Sequence, residues 1–183
     1  MRKIILLFLF SGLFFLFANS QQLHFTSLYM QSNPMYDPGA AGISNKNLIG
    51  VSYRSMWSSF PGNPRTYMLY GDAELKKMKA GIGGYLYRDE TGPTRRTGVQ
   101  LAYSYHIIPQ NEKYKLGLGI EVRGLQYSID KTKLTEALGN DPVLSGSADK
   151  FAFDAGLGMY YTNYKFSAGA SVSQIMGTKL ELA

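Results

Sequence analysis

Residues 114–126 read Tyr-Lys-Leu-Gly-Leu-Gly-Ile-Glu-Val-Arg-Gly-Leu-Gln, with apolar residues alternating strictly with small or charged ones. Leu116, Leu118, Ile120 and Val122 fall on one face of an extended strand, and Gly117, Gly119, Glu121 and Arg123 on the other. A soluble sandwich alternates in the same way, so period 2 does not decide the solvent. The deciding fact is that such runs recur along a chain that opens with an export signal and contains no cysteine. That combination predicts an all-β chain, a transmembrane antiparallel barrel of the bacterial outer membrane, apolar toward lipid and polar toward its interior.

Working outward, seven runs are legible: 47–56, 65–74, 80–88, 96–107, 114–126, 151–161 and 164–175. In 96–107, Val99, Leu101, Tyr103 and Tyr105 oppose Gln100, Ala102, Ser104 and His106. In 151–161, Phe151, Phe153, Leu157, Met159 and Tyr161 oppose Asp154, Gly156 and Gly158. Most runs approach the roughly 9–11 residues that a tilted strand needs to cross a bilayer. The connectors after the first, third and fifth strands are expected at 57–64, 89–95 and 127–150. Those after the second, fourth and sixth are expected at 75–79, 108–113 and 162–163. Short periplasmic turns and longer outer loops are the habit of such barrels, so the first set is placed outside. Lys131 to Leu138 could form a short helix within the longest loop. Residues 21–46 carry no period, and Asn33-Pro34 and Asp37-Pro38-Gly39 are turn signals, so this stretch reads as an irregular segment before the barrel.

Residues 1–20 read as a cleaved signal peptide. Arg2 and Lys3 precede an apolar stretch from Ile4 to Phe17, and Ala18-Asn19-Ser20 places small residues at −3 and −1 of a cut before Gln21. A signal anchor is the alternative, although the stretch is shorter than the roughly 20 residues of a spanning helix. With no cysteine there is no disulfide framework, thiolate metal site or thiol nucleophile. The net charge of +6 falls by two without Arg2 and Lys3. The basic residues scatter over turns and inward positions, with one cluster at 76–79, so no nucleic-acid partner is expected. Fourteen tyrosines and twenty glycines are the telling excess, because a tyrosine ring with a wet hydroxyl suits a membrane interface.

Seven strands is an odd count, whereas bacterial barrels close with an even one. Either Leu23, Phe25 and Tyr29 mark an eighth strand within 21–30, or the sequence stops partway round a larger barrel. The second reading is favoured, because an unfinished sheet leaves membrane-buried edges. Residues 47–183 would then be an incomplete barrel.

Catalytic patterns are not legible. His24 and His106 lack metal-ligand spacing, no Gly-x-Ser-x-Gly occurs, and the Gly81–Gly84 stretch opens no helix that could cradle phosphate. Glu121, Arg123 and Asp154 are expected inside the barrel, where carboxylates and arginines pair with each other. No enzyme activity and no cofactor or metal are expected.

Several landmarks occur in order: Tyr29-Met30, Asn33-Pro34, Asp37-Pro38-Gly39-Ala40-Ala41-Gly42, Tyr53-Arg54 with Trp57, then Gly62, Pro64 and Thr66. Gly81-Ile82-Gly83, Asp89, Gly92-Pro93, Tyr103-Ser104-Tyr105 and Asp141-Pro142 follow. Together they resemble the PorP/SprF family of outer-membrane proteins from the Bacteroidetes type IX secretion and gliding machinery, over about residues 23–175. Asp37 stands where that family more usually has Asn. The resemblance implies a barrel of roughly 14 strands, of which this chain would supply about the N-terminal half, and a non-enzymatic role in secreting or anchoring cargo that bears a C-terminal sorting domain, gliding adhesins included. Its partners would be other secretion components, the cargo and outer-membrane lipid. The candidate motif and partner-contact residues are Asn33, Pro34, Asp37, Pro38, Arg54, Trp57, Pro64, Asp89, Gly92, Pro93, Asp141 and Pro142, and the surfaces favoured for partners are 21–46 and 127–150. Trp57 is expected at the outer interface. The competing readings are a passive porin, a barrel enzyme and a soluble periplasmic β-protein.

Overall fold

A computed structural model describes residues 33–44, 46–110, 113–131 and 147–177. The signal-peptide expectation, the proposed strand in 21–30 and Asp141-Pro142 lie outside them. Seven strands form one antiparallel sheet in chain order: β1 (Leu48–Ser55), β2 (Arg65–Leu75), β3 (Ala80–Thr91), β4 (Thr94–Ile107), β5 (Tyr114–Asp130), β6 (Ser147–Asn163) and β7 (Ser167–Val172). Each strand pairs with the next, a plain meander. Among the described residues the outer edges of β1 and β7 have no partner strand, so the sheet is not closed there.

The alternation decides which face each side chain takes. Ile49, Val51, Leu69, Ile82, Leu86, Val99, Leu101, Leu118, Ile120, Val122, Leu157 and Met159 stand exposed on one face, most of them about half exposed or more. An apolar surface continuous over six strands is far larger than a water-facing patch on an ordinary soluble domain. No described helix is long and apolar enough to cross a membrane. The architecture is all-β and consistent with an outer-membrane β-barrel protein. The opposite face is polar, with Gln100, Ser104, His106 and Glu121 buried to 2% exposure or less.

Two expectations about connectors need correction. The third connector is not 89–95, because β3 and β4 stay paired out to Thr91↔Thr94 and only Gly92-Pro93 join them. Gly92 has φ 56, the left-handed geometry that the first position of a tight hairpin turn demands. The long loop is also shorter than 127–150, because β5 and β6 pair as far as Asp130↔Ser147. Both errors share one cause. Where both faces of a hairpin leave the apolar environment, the hydropathy contrast fades while the hydrogen-bond ladder continues. The simple rule of longer outer connectors therefore fails at β3–β4, whose turn is shorter than its neighbours at 76–79 and 108–113. Smaller shifts trim β1 and β7 to Leu48–Ser55 and Ser167–Val172, and the connector expected at 162–163 falls at 164–166 because β6 runs to Asn163.

The sheet has two rims. The far rim carries the β1–β2, β3–β4 and β5–β6 connections; the near rim carries the other three and the entry into β1. At the far rim the 56–64 loop is closed by Met56 N–H donating to the Pro64 carbonyl (3.0 Å) and by Asn63, whose side-chain amide donates to Ser55 Oγ (2.9 Å).

Candidate functional site

The irregular N-terminal segment does not stand apart from the sheet. Residues 34–43 lie on its polar face, all buried except the partly exposed Tyr36. The path is set by two 3-10 turns, Asn33–Met35 and Pro38–Ala40. Asp37 caps the second turn: its Oδ1 accepts from Gly39 N–H at 2.8 Å, and Pro38 follows with φ already suited to a turn. Gly42 ends the segment at φ 65, and its N–H donates to Asp72 Oδ1 at 2.6 Å.

A buried stretch without regular structure must find partners for its carbonyls. Here the sheet supplies them as side chains. Gln100 Nε2 donates to the Pro34 carbonyl (3.3 Å), Arg123 to Met35 (3.4 Å) and Ser171 to Tyr36 (2.8 Å). Ser104 Oγ donates to the Gly39 carbonyl at 2.9 Å, and His106 Nε2 lies 2.8 Å from the Ala41 carbonyl, which makes that nitrogen the protonated one. Gln100, Ser104 and His106 all come from the inward positions of β4. The segment thus runs from β3 out to β7 and returns to β3.

Close approach of backbone to backbone explains the inward glycines. A Cβ on Gly117 would overlap the Gly39 carbonyl, one on Gly119 would overlap Pro38, and one on Gly81 would overlap Ala41. Gly83 meets Pro34, and Gly158 and Gly169 meet Asp37. The small residues Gly158 of β6 and Gly169 of β7 make room for this segment.

Beneath it sits a buried polar cluster. Arg123 Nε and Glu121 Oε1 form an ion pair at 2.9 Å, and Glu121 also accepts from Ser173 Oγ at 3.0 Å and from Gln100 Nε2. The expected pairing of interior charges is met by Glu121 and Arg123. Asp154, opposite Arg123 in register, instead accepts from the backbone N–H groups of Ala155 and Met176. Asp37 has a buried Oδ2 with no hydrogen-bond partner among the described residues. Burial raises its carboxyl above the ordinary 3.8, the Gly39 N–H pulls the other way, and the nearby Glu121 charge raises it further.

Ten of the twelve candidate residues are among the described ones, and they fall into two groups. Pro34, Asp37 and Pro38 are bedded on the sheet, and Asn33 begins the first 3-10 turn. Arg54, Trp57, Pro64, Asp89, Gly92 and Pro93 gather at the far rim. There Thr66 Oγ1 donates to Asp89 Oδ1 (2.8 Å), Gly92 N–H to the Gly62 carbonyl (2.9 Å), and Asp130 N–H to the Pro93 carbonyl (2.9 Å). Arg54 lies beside Met56 Sδ (3.0 Å), and Trp57 is 75% exposed with φ 52. The structure does not bring the two groups together. Gln100, Ser104, Ser171 and the glycine track are the residues not picked out as a site from sequence, although the alternation had put them on the inward face.

Chemically, the cluster holds a segment. Ser104 and His106 are each engaged with a carbonyl of the segment and not with one another. Among the described residues no group of three His, Asp or Glu side chains could hold a metal ion.

A family model described as "Type IX secretion system membrane protein PorP/SprF" matches residues 18–183. No curated protein and no solved structure matches the chain.

Proposed function

The chain belongs to the type IX secretion system membrane protein family PorP/SprF, and from that premise we propose that it is a non-enzymatic outer-membrane component of that system. In this reading residues 1–20 direct export, and the apolar face of the sheet meets outer-membrane lipid. The protein supports the secretion or surface anchoring of cargo bearing a sorting domain, gliding adhesins among them, together with other secretion components.

The observation that most favours this over a general porin is the bedded segment. A passive channel needs an open polar lumen, whereas residues 34–43 cover the polar face from β3 to β7 and are held by six side chains of the sheet. At the far rim Trp57 stands 75% exposed, where it can meet other proteins.

Deleting the gene and measuring surface display of a partner adhesin with antibody on whole cells tests the reading. Loss of display, restored by the intact gene, is expected. Normal display, or solute conductance of the purified protein in planar bilayers without a secretion defect, would overturn it in favour of the porin.

A further inference from the structure

The outward face changes character abruptly at the far rim. Along β2 the outward positions pass from Leu69 to Tyr67 to Arg65, and along β3 from Leu86 to Arg88 to Glu90. On β4 they pass from Val99 to Thr97 to Arg95. Register sets Arg65, Glu90 and Arg95 side by side on adjacent strands, with Arg88 directly below Glu90 and opposite Tyr67. Each step of two residues is roughly 7 Å, so the three guanidinium groups stand one to two side chains above the apolar band.

Two of these arginines share a single acid. Arg88 Nε and Arg95 Nε both reach Glu90 Oε1, at 2.8 and 3.3 Å, and both remain 49% exposed. Arg65 Nε is turned to Asn63 Oδ1 at 3.1 Å. Three cations against Glu90 leave a net positive patch even with Asp130, which shares this face on β5 two residues above Ser128, the register partner of Arg95; the next acid on the row itself, Asp149, lies two strands beyond Arg95. Tyr53 and Tyr67, with rings 5.1 Å apart, lie just beneath on the same face. Aromatic rings at this level mark the boundary between hydrocarbon and headgroups.

We infer that Arg65, Arg88 and Arg95 form a binding site for the phosphate groups of an outer-leaflet lipid. Guanidinium forks match phosphate oxygens, and half-exposed arginines at headgroup height meet a phosphorylated lipid from the side. The inference rests on the outer-membrane reading above and on the far rim facing outward. It adds a specific lipid contact that a merely apolar belt does not require.

The test uses the purified full chain in detergent, with bis-phosphorylated lipid A, its dephosphorylated form and inorganic phosphate as probes. Lipid A is expected to be retained on the immobilised protein. The triple variant Arg65→Gln/Arg88→Gln/Arg95→Gln should bind it about tenfold more weakly, as three exposed charge contacts imply, and added salt should weaken wild-type binding. Glu90→Gln, which frees Arg88 and Arg95, should bind more tightly. Equal binding by the triple variant, equal retention of dephosphorylated lipid A, or competition by inorganic phosphate at matched concentration would each overturn the assignment. Heat-modifiable gel mobility shows whether the triple variant is folded. If it is not, Glu90→Gln decides alone, and unchanged affinity rejects the site. Failure of the outer-membrane reading is separable, because the wild-type protein would then not fractionate with outer membranes.

Discussion

Glu121 and Arg123, two positions apart on β5, form an ion pair at 2.9 Å under the bedded segment, where Glu121 is only 2% exposed. Residues i and i+2 of a strand share a face, so one strand supplies both charges and the Cα register sets β4 and β6 beside them. The pair's value is in what it holds. Arg123 also donates to the Met35 carbonyl, and Glu121 orients Gln100, which donates to Pro34.

Removing one member should therefore cost more than a surface ion pair. Glu121→Ala leaves a buried guanidinium without its counter-charge, a loss of about 3–5 kcal/mol. Thermal unfolding in detergent should show a large drop, with earlier proteolytic cleavage between residues 33 and 44. A change no larger than that of Arg88→Ala at the exposed far rim would refute the cluster's role.

The glycine track gives a second expectation. Gly117→Val puts methyl groups where the Gly39 carbonyl lies, and displacing backbone in this way costs on the order of 1–3 kcal/mol. Hydrogen exchange should rise in 34–43 and not in β2 or β3. The contrasting control is Gly124→Ala, whose new Cβ would meet its nearest neighbour, a Val99 methyl, at an ordinary 3.4 Å. Equal exchange in both variants would mean the segment does not depend on backbone contact at Gly117.

Asp37 supplies a pH dependence. Burial and the Glu121 charge raise its folded value above 3.8, so the folded state binds the proton more tightly than the unfolded chain. The protonated form's advantage is complete below the unfolded value and is lost as pH rises through the folded one. Docking of the segment should weaken over that window, read as increasing protease access to 33–44. Asp37→Asn keeps the Oδ1 acceptor for Gly39 and removes the buried charge that faces Glu121. It should raise stability by about 1 kcal/mol and flatten the pH response; a variant that keeps the wild-type slope would assign the titration elsewhere.

The apolar face makes the fourth expectation. Ile120 is 57% exposed at the middle of the band, and Ile120→Lys should destabilise a membrane-inserted sheet by about 2–4 kcal/mol. Unfolding from lipid vesicles, compared with Ser128→Lys beyond the band on the same face, checks this. Similar effects at both positions would argue against lipid contact at Ile120.

The alternation from Leu116 to Arg123 determined the strand and its two faces, because a residue's side of a strand follows from its number alone, and its recurrence over seven runs pointed to the all-β architecture. The inward placement of Gln100, Ser104, His106, Glu121 and Arg123 follows from the same parity. Hairpin ends were not legible at Asp89 and Glu90, where both faces are polar, nor at 127–130, where Ser128 and Asp130 end the apolar run on the outward face while the pairing continues. Only the tertiary structure decided that Asp37, Pro38 and Gly39 lie across the sheet and not beside it. That contact joins segments about 65 to 135 residues apart and is made by backbone carbonyls and missing Cβ atoms, which carry no period. Glycine in a strand declares that space is left; what fills the space is known only when the chain has folded back onto it.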